Sequence, residues 1–183
     1  MTKLLIFISL VLASPSPEVV NPVTDPAKDP KVLLGKQLFF DGRLSKSGTV
    51  SCNSCHNVMK AGEDHRTVSV GVDGKTGGRN SPTVFNAAAY SVQFWDGRAA
   101  TLEEQAKGPM LNPVEMAMPN HDAVVNRLKK IPGYVTQFNQ VFGPENSLTI
   151  DNVASAIATY ERTLISVNSP NEKYLAGNKK PLN

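Results

Sequence analysis

A chain of 183 residues that is 40% hydrophobic and 19% charged carries enough apolar material for one buried domain and is short for two. Its net charge of +3 comes from 19 basic and 16 acidic residues interspersed along the chain, without the basic stripe that a nucleic-acid binder would show. Thirteen glycines and thirteen prolines point to a globular protein rich in loops and turns.

The first three residues, Met1-Thr2-Lys3, precede an apolar run from Leu4 to Leu12, with Val11 and Ala13 at the small-residue positions of a signal-peptidase site. Residues 1–13 are therefore expected to be a signal peptide, and a nine-residue run, apolar but for Ser9, is too short to cross a bilayer as a helix. Its removal would take Lys3 and leave a net charge of +2, on a periplasmic or secreted chain with no membrane span. Residues 14–30 contain Pro15, Pro17, Pro22, Pro26 and Pro30, a spacing that suits an extended linker and no regular element.

Asp29 and Pro30 have the character of a helix N-cap and first helical position, and Leu33, Leu34, Leu38 and Phe39 form an apolar stripe; the spacing predicts a helix over 31–40. From Asp41 to Ser81, glycines and polar residues predominate, so the backbone there is expected to be irregular and wrapped around something other than its own side chains. Ser81-Pro82 and the capping box Thr101-Leu102-Glu103-Glu104 predict short helices over 83–89 and 102–109, with Thr101 and Glu104 satisfying each other's backbone donors. Asn120 caps a run in which Val124, Val125 and Leu128 share a face; Pro132 restarts the helix, with Tyr134, Phe138 and Phe142 on its apolar side. Thr149 opens a last helix carrying Val153, Ile157, Tyr160 and Leu164. With no alternating strand pattern and no repeat, the fold class is mostly α.

The only two cysteines lie in Cys52-Asn53-Ser54-Cys55-His56. In C-x-x-C-H the thiols add across the vinyl groups of a haem and the next histidine is set beneath the ring to ligate iron. Two other readings of the same residues exist. A redox C-x-x-C belongs in a βαβ context, and a zinc site from Cys52, Cys55, His56 and His65 lacks the spacing of a finger. One covalent haem c, a cytochrome c-like haem domain with long loops, accounts for the pattern best. Whether such a haem carries electrons or performs chemistry depends on its sixth position. Met59, Met110, Met116, Met118, His65 and His121 are the side chains able to close it.

The words around the motif add specificity: Leu34-Gly35-Lys36-Gln37-Leu38-Phe39-Phe40-Asp41, Ser51-Cys52-Asn53-Ser54-Cys55-His56-Asn57, Arg79-Asn80-Ser81-Pro82-Thr83, Gln93-Phe94-Trp95-Asp96-Gly97-Arg98-Ala99 and Asn112-Pro113-Val114-Glu115-Met116. In this order they resemble the bacterial di-haem cytochrome c peroxidase family, with its MauG-type relatives, over about Leu34 to Leu175. The resemblance covers the family's N-terminal, peroxide-reacting haem domain, here residues 31–172, with 173–183 beginning the connection to a second haem domain that would act in cis or in trans.

That resemblance implies an oxidoreductase that reduces hydrogen peroxide to water with electrons from a small periplasmic cytochrome c or cupredoxin. It also implies roles. Glu115 matches the acid/base carboxylate, although Asn112, Pro113 and Glu115 also suit N-cap, N1 and N3 of a short helix. Gln105 matches a side chain that helps hold peroxide, Trp95 a relay between haems, and Asn80 a contributor to a calcium site shared with the second domain. At Val72 the family often has a histidine that caps the iron in the resting enzyme; valine cannot, which implies an open face unless His65 substitutes. The competing expectation is a non-catalytic electron-transfer or haem-binding module that has kept the fold.

Overall fold

The computed structural model describes residues 25–145, 147–167 and 169–178. The expected signal peptide and most of the linker lie outside the described residues. Of the linker, residues 25–30 include a turn closed by a Lys28–Asp25 ion pair at 2.9 Å.

Among the described residues seven α-helices carry the fold: α1 (Pro30–Phe39), α2 (Cys52–Cys55), α3 (Leu102–Leu111), α4 (His121–Lys129), α5 (Pro132–Phe142), α6 (Ile150–Glu161) and α7 (Pro170–Leu175). Among the described residues there is no β-sheet, only two isolated bridges, Val70 to Thr76 and Gln93 to Ala99.

Helices α1, α3, α4, α6 and α7 start where an N-cap side chain receives an orphan N–H, whereas α5 starts on Pro132 without a side-chain cap. Asp29 accepts from Lys31 and Val32 at 2.7 and 3.2 Å, Asn120 from Ala123 at 2.8 Å, and Thr149 from Asn152 at 3.2 Å. At α3 the expected reciprocal box is only half made. Thr101 accepts from the Glu104 N–H at 3.2 Å, but the Glu104 carboxylate takes the N–H of Ala100 at 2.7 Å, one residue before the cap.

The helix expected over 83–89 shrinks to one 3-10 turn, Ala87–Ala89. Asn86 in front of it takes a left-handed backbone, φ 59°, and is pinned elsewhere: its N–H donates to the Leu164 carbonyl at 2.9 Å and its side-chain amide to the Ser166 carbonyl at 2.9 Å. Long-range bonds override local propensity here. Leu164, expected on the last helix, lies beyond its end at Glu161.

The core forms where α1 crosses α6. A Cβ at Gly35 would run into the carbonyl of Ala156, so only glycine lets the two backbones come this close. Phe39 meets Tyr160 edge-to-face at 5.3 Å, and Leu34, Leu38, Val153 and Ile157 are fully buried around them. α5 adds Tyr134, whose hydroxyl donates to Asp41 at 2.6 Å, and Arg43 grips the same carboxylate at 2.7 Å. α3 lies against α6, tied to its end by Arg162–Glu103 bonds of 2.6 and 3.1 Å.

The backbone expected to be irregular from Asp41 to Ser81 is so, relieved only by α2 and short 3-10 turns, and the irregular stretch continues to Ala100. Facing α6 and α3, this stretch leaves a single large space between them.

Candidate haem site

The space is a cavity of about 970 Å³, of the size that takes a large organic ligand. Cys52, Cys55, His56, Asn80, Trp95, Gln105 and Glu115 all line it, so every site residue expected from the sequence converges on one cavity.

α2 is a single turn, closed by the Ser51 N–H donating to the Ser54 hydroxyl at 3.0 Å. Three residues apart on that turn, Cys52 and Cys55 share a face and carry free thiols. Burial pushes both thiols above their ordinary value, that of Cys52 far above it. That burial favours the neutral thiol form over a reactive thiolate. His65, needed for the zinc alternative, is turned outward onto Glu63 in an ion pair, and no group of three or more His, Cys, Asp or Glu able to hold a metal occurs among the described residues.

His56 ends α2 and lies 2.9 Å through Nδ1 from the carbonyl oxygen of Pro82. A carbonyl only accepts, so Nδ1 carries the proton and Nε2 keeps its lone pair for a metal. The Ser81 hydroxyl lies 3.3 Å from each ring nitrogen. Burial holds the imidazole below its ordinary value, which favours the neutral, ligating form. Ser69 and Glu161 also line the cavity, and each has a buried side-chain oxygen without a hydrogen-bond partner, the Ser69 hydroxyl and Oε2 of Glu161. Attachment thiols, a free imidazole nitrogen and a large, mainly apolar space together fit a covalently held haem.

Glu115 sits in a turn and not in a helix. Asn112 is the C-cap of α3, its carbonyl accepts from the Glu115 N–H at 3.0 Å, and its side-chain amide donates to Glu115 Oε1 at 2.7 Å. Burial raises the Glu115 carboxyl above the usual range, opposed by the charge of Arg98 and the bond from Asn112. Glu115 also lines a second, smaller cleft of about 430 Å³ with Phe94, Arg98, Pro109 and Asn112. Phe94 holds a left-handed backbone, φ 65°, which is strained for an aromatic residue, and the Arg98 guanidinium stacks on its ring at 3.5 Å. Asp96, held down to about 2 by Arg79 and Arg98, anchors this turn.

Gln105 stands one turn before Pro109 on α3, and Pro109 has no N–H to give the Gln105 carbonyl. Trp95 is 66% exposed at the cavity wall, with its indole N–H fixed on the Asn80 carbonyl at 2.8 Å. The Asn80 side-chain amide donates to the Arg66 carbonyl at 2.6 Å, which leaves its Oδ1 as the side-chain oxygen for a calcium ion.

Of the six side chains able to close the sixth position, Met116 alone lines the cavity; His65 and Met59 face outward, and Met110 and Met118 belong to the core. The Nε2 of His121 lies 3.1 Å from the Lys107 carbonyl. Val72 is buried behind the site, its N–H donating to the Glu115 carbonyl at 2.8 Å. Sequence reasoning missed Glu161, which lies on the cavity wall. Its signal was a charge four residues after Ile157, on the buried stripe of α6.

A mostly helical fold around a cavity with C-x-x-C-H on its wall defines a c-type haem domain. Comparison with known proteins makes the class specific: the family model for di-haem cytochrome c peroxidase matches residues 29–180, and the chain belongs to that family. It is 48% identical over 150 residues to the cytochrome c551 peroxidase of Nitrosomonas europaea, covering 82% of this chain and 44% of the relative. Identity to the cytochrome c551 peroxidase of Pseudomonas aeruginosa is 47% over 173 residues, 93% of this chain and 50% of the other. The crystal structure of a MauG-like protein associated with microbial copper homeostasis superposes with a TM-score of 0.75 at 32% identity, over 96% of this chain and 51% of that one. The chain thus spans about half the length of these relatives.

Proposed function

We propose that this chain is a peroxide-reacting haem domain, exported to the periplasm, that reduces hydrogen peroxide to water with electrons from a small cytochrome c or cupredoxin. The observation that carries the reading is the convergence of Glu115 and Gln105 with Cys52, Cys55 and His56 on one cavity. Cys52 and Cys55 would hold the haem, and His56 would ligate its iron through Nε2. Bound there, the haem supplies an iron to receive a peroxide oxygen and a ring able to exchange electrons.

The chain's own residues manage protons. Glu115 removes a proton from the near oxygen of peroxide and returns it to the far one, so that oxygen leaves as water. Two electrons and two protons from outside complete the second water. Asn112 fixes the carboxyl that does this work, Gln105 holds the peroxide, and Trp95 passes electrons through the wall. A second haem domain, in cis or in trans, and a calcium ion at Asn80 complete the proposal.

Steady-state peroxide consumption by the haem-loaded chain with reduced cytochrome c should fall by about 10²–10⁴ in Glu115→Gln with the haem spectrum intact. Equal rates would sink the role of Glu115. Met116 on the cavity wall favours one second reading, a non-catalytic electron carrier closed by a thioether. A high-spin spectrum of the oxidised protein supports the open site, and a low-spin His/Met spectrum supports the carrier.

A further inference from the structure

Glu161 closes α6 and is 6% exposed on the cavity wall, with its Oε2 lacking any hydrogen-bond partner. A carboxylate in that position is costly to keep charged unless a positive charge stands beside it. Its natural partner is committed elsewhere: Arg162 donates through both terminal nitrogens to Glu103 of α3, at 2.6 and 3.1 Å. The other titratable groups facing it are Glu103 itself, the Cys52 thiol of α2 and the neighbouring Tyr160. The buried faces of α1 and α4 are apolar. Burial, reinforced by Glu103 and opposed by Arg162, pushes the carboxyl up to about 8.

A ferric haem carries one more positive charge than a ferrous haem, and a carboxylate in the same low-dielectric space is stabilised by that charge. We propose that Glu161 is the proton partner of the haem: its carboxyl takes up a proton as the haem is reduced and releases it as the haem is oxidised. The step balances as ferric haem, carboxylate, one electron from the donor and one proton from solvent giving ferrous haem and carboxylic acid, with no bond to the haem made or broken. This rests on the haem reading of the cavity and adds to it a residue that sets the potential.

Spectroelectrochemical titration of the haem-loaded chain at a series of pH values tests it. The wild-type midpoint falls with rising pH between the pH at which the carboxyl ionises beside ferric haem and the higher pH at which it ionises beside ferrous haem, with a limiting slope of one tenfold step, about 59 mV, per pH unit. Glu161→Gln, which keeps the neutral shape of the acid, flattens that segment and stays at the wild-type low-pH potential. An unchanged slope in Glu161→Gln overturns the proposal, because a titrating water on the iron would persist in the variant. If Glu161→Gln fails to hold haem, reduced-minus-oxidised infrared spectra of the wild type decide: a carboxylic-acid C=O band, sensitive to deuterium, appears on reduction near pH 8, and its absence overturns the idea. A chain that takes up no haem overturns this and the haem reading together. A loaded chain inert to peroxide yet showing the Glu161-dependent slope removes the peroxidase assignment and supports this one.

Discussion

Glu115 and Glu161 are two carboxyls on one cavity that burial pushes in the same direction and that their neighbours treat differently. Glu115 keeps Arg98 and Asn112 close by, so its shift is countered; in the proposed role it would have to be ionised to accept a proton from peroxide. Peroxide turnover should therefore fall as pH drops through a value above the ordinary carboxylate range. Arg98→Ala leaves burial less opposed, and the acidic limb of the pH–rate profile should move to higher pH. A limb that stays in place would show that Arg98 does not act on Glu115. For Glu161 the consequence is stability. Its folded-state value of about 8 lies above its ordinary 4.5, so the folded chain binds the extra proton. The resulting stability is present below the ordinary value and is lost as pH rises through the folded one. Urea unfolding should show wild-type stability falling by several kcal/mol between pH 5 and 9, order-of-magnitude, and a much flatter profile in Glu161→Gln. Equal slopes in both proteins would mean that the carboxyl finds a partner when charged.

Among the elements, the α1–α6 crossing supports the cavity, because α6 carries Ile157 and Glu161 to its wall. Gly35→Ala puts a methyl group against the Ala156 carbonyl and forces the helices apart. It should cost about 1–3 kcal/mol in urea unfolding, as overpacking of a close contact does. Gly71→Ala works at a different junction, since its Cβ would strike the backbone of Val114 and Glu115. It should displace the turn that holds Glu115, lowering peroxide turnover by more than it lowers the unfolding midpoint; the reverse order would separate the 69–77 loop from the chemistry. Helices α1, α4 and α6 were legible because their signals are local: Asp29-Pro30, Asn120 and Thr149 name their own starts, whereas α7 was not expected. The 83–89 segment was not, because Asn86 answers to Leu164 and Ser166, nearly eighty residues away. Glu115 likewise has a helix-start neighbourhood in sequence, yet Asn112 is already the end of α3 and turns the chain instead.

For the molecule as a whole, the residues proposed for attachment and acid/base chemistry were picked out by the family words around them, and all of them line one cavity. What escaped was the shape of the wall: Met116 inside it, Val72 behind it, Glu161 across from the motif in sequence by more than a hundred residues. Such placement follows from how α6 and the long loop close on each other, and no local pattern encodes that. The outer wall raises the remaining question of how electrons arrive. Trp95, with Tyr90 and Val92 nearby in the chain, forms an exposed apolar edge where the cavity meets solvent. The indole N–H is bonded to the Asn80 carbonyl, and under the proposed function the ring would serve both as a contact for a donor and as a bridge inward. Stopped-flow absorbance separates these duties from packing. In Trp95→Ala the reaction of the haem-loaded chain with peroxide should keep its rate, while re-reduction by reduced cytochrome c slows several-fold. Re-reduction at the wild-type rate would leave Trp95 a packing residue and direct electrons through another part of the wall.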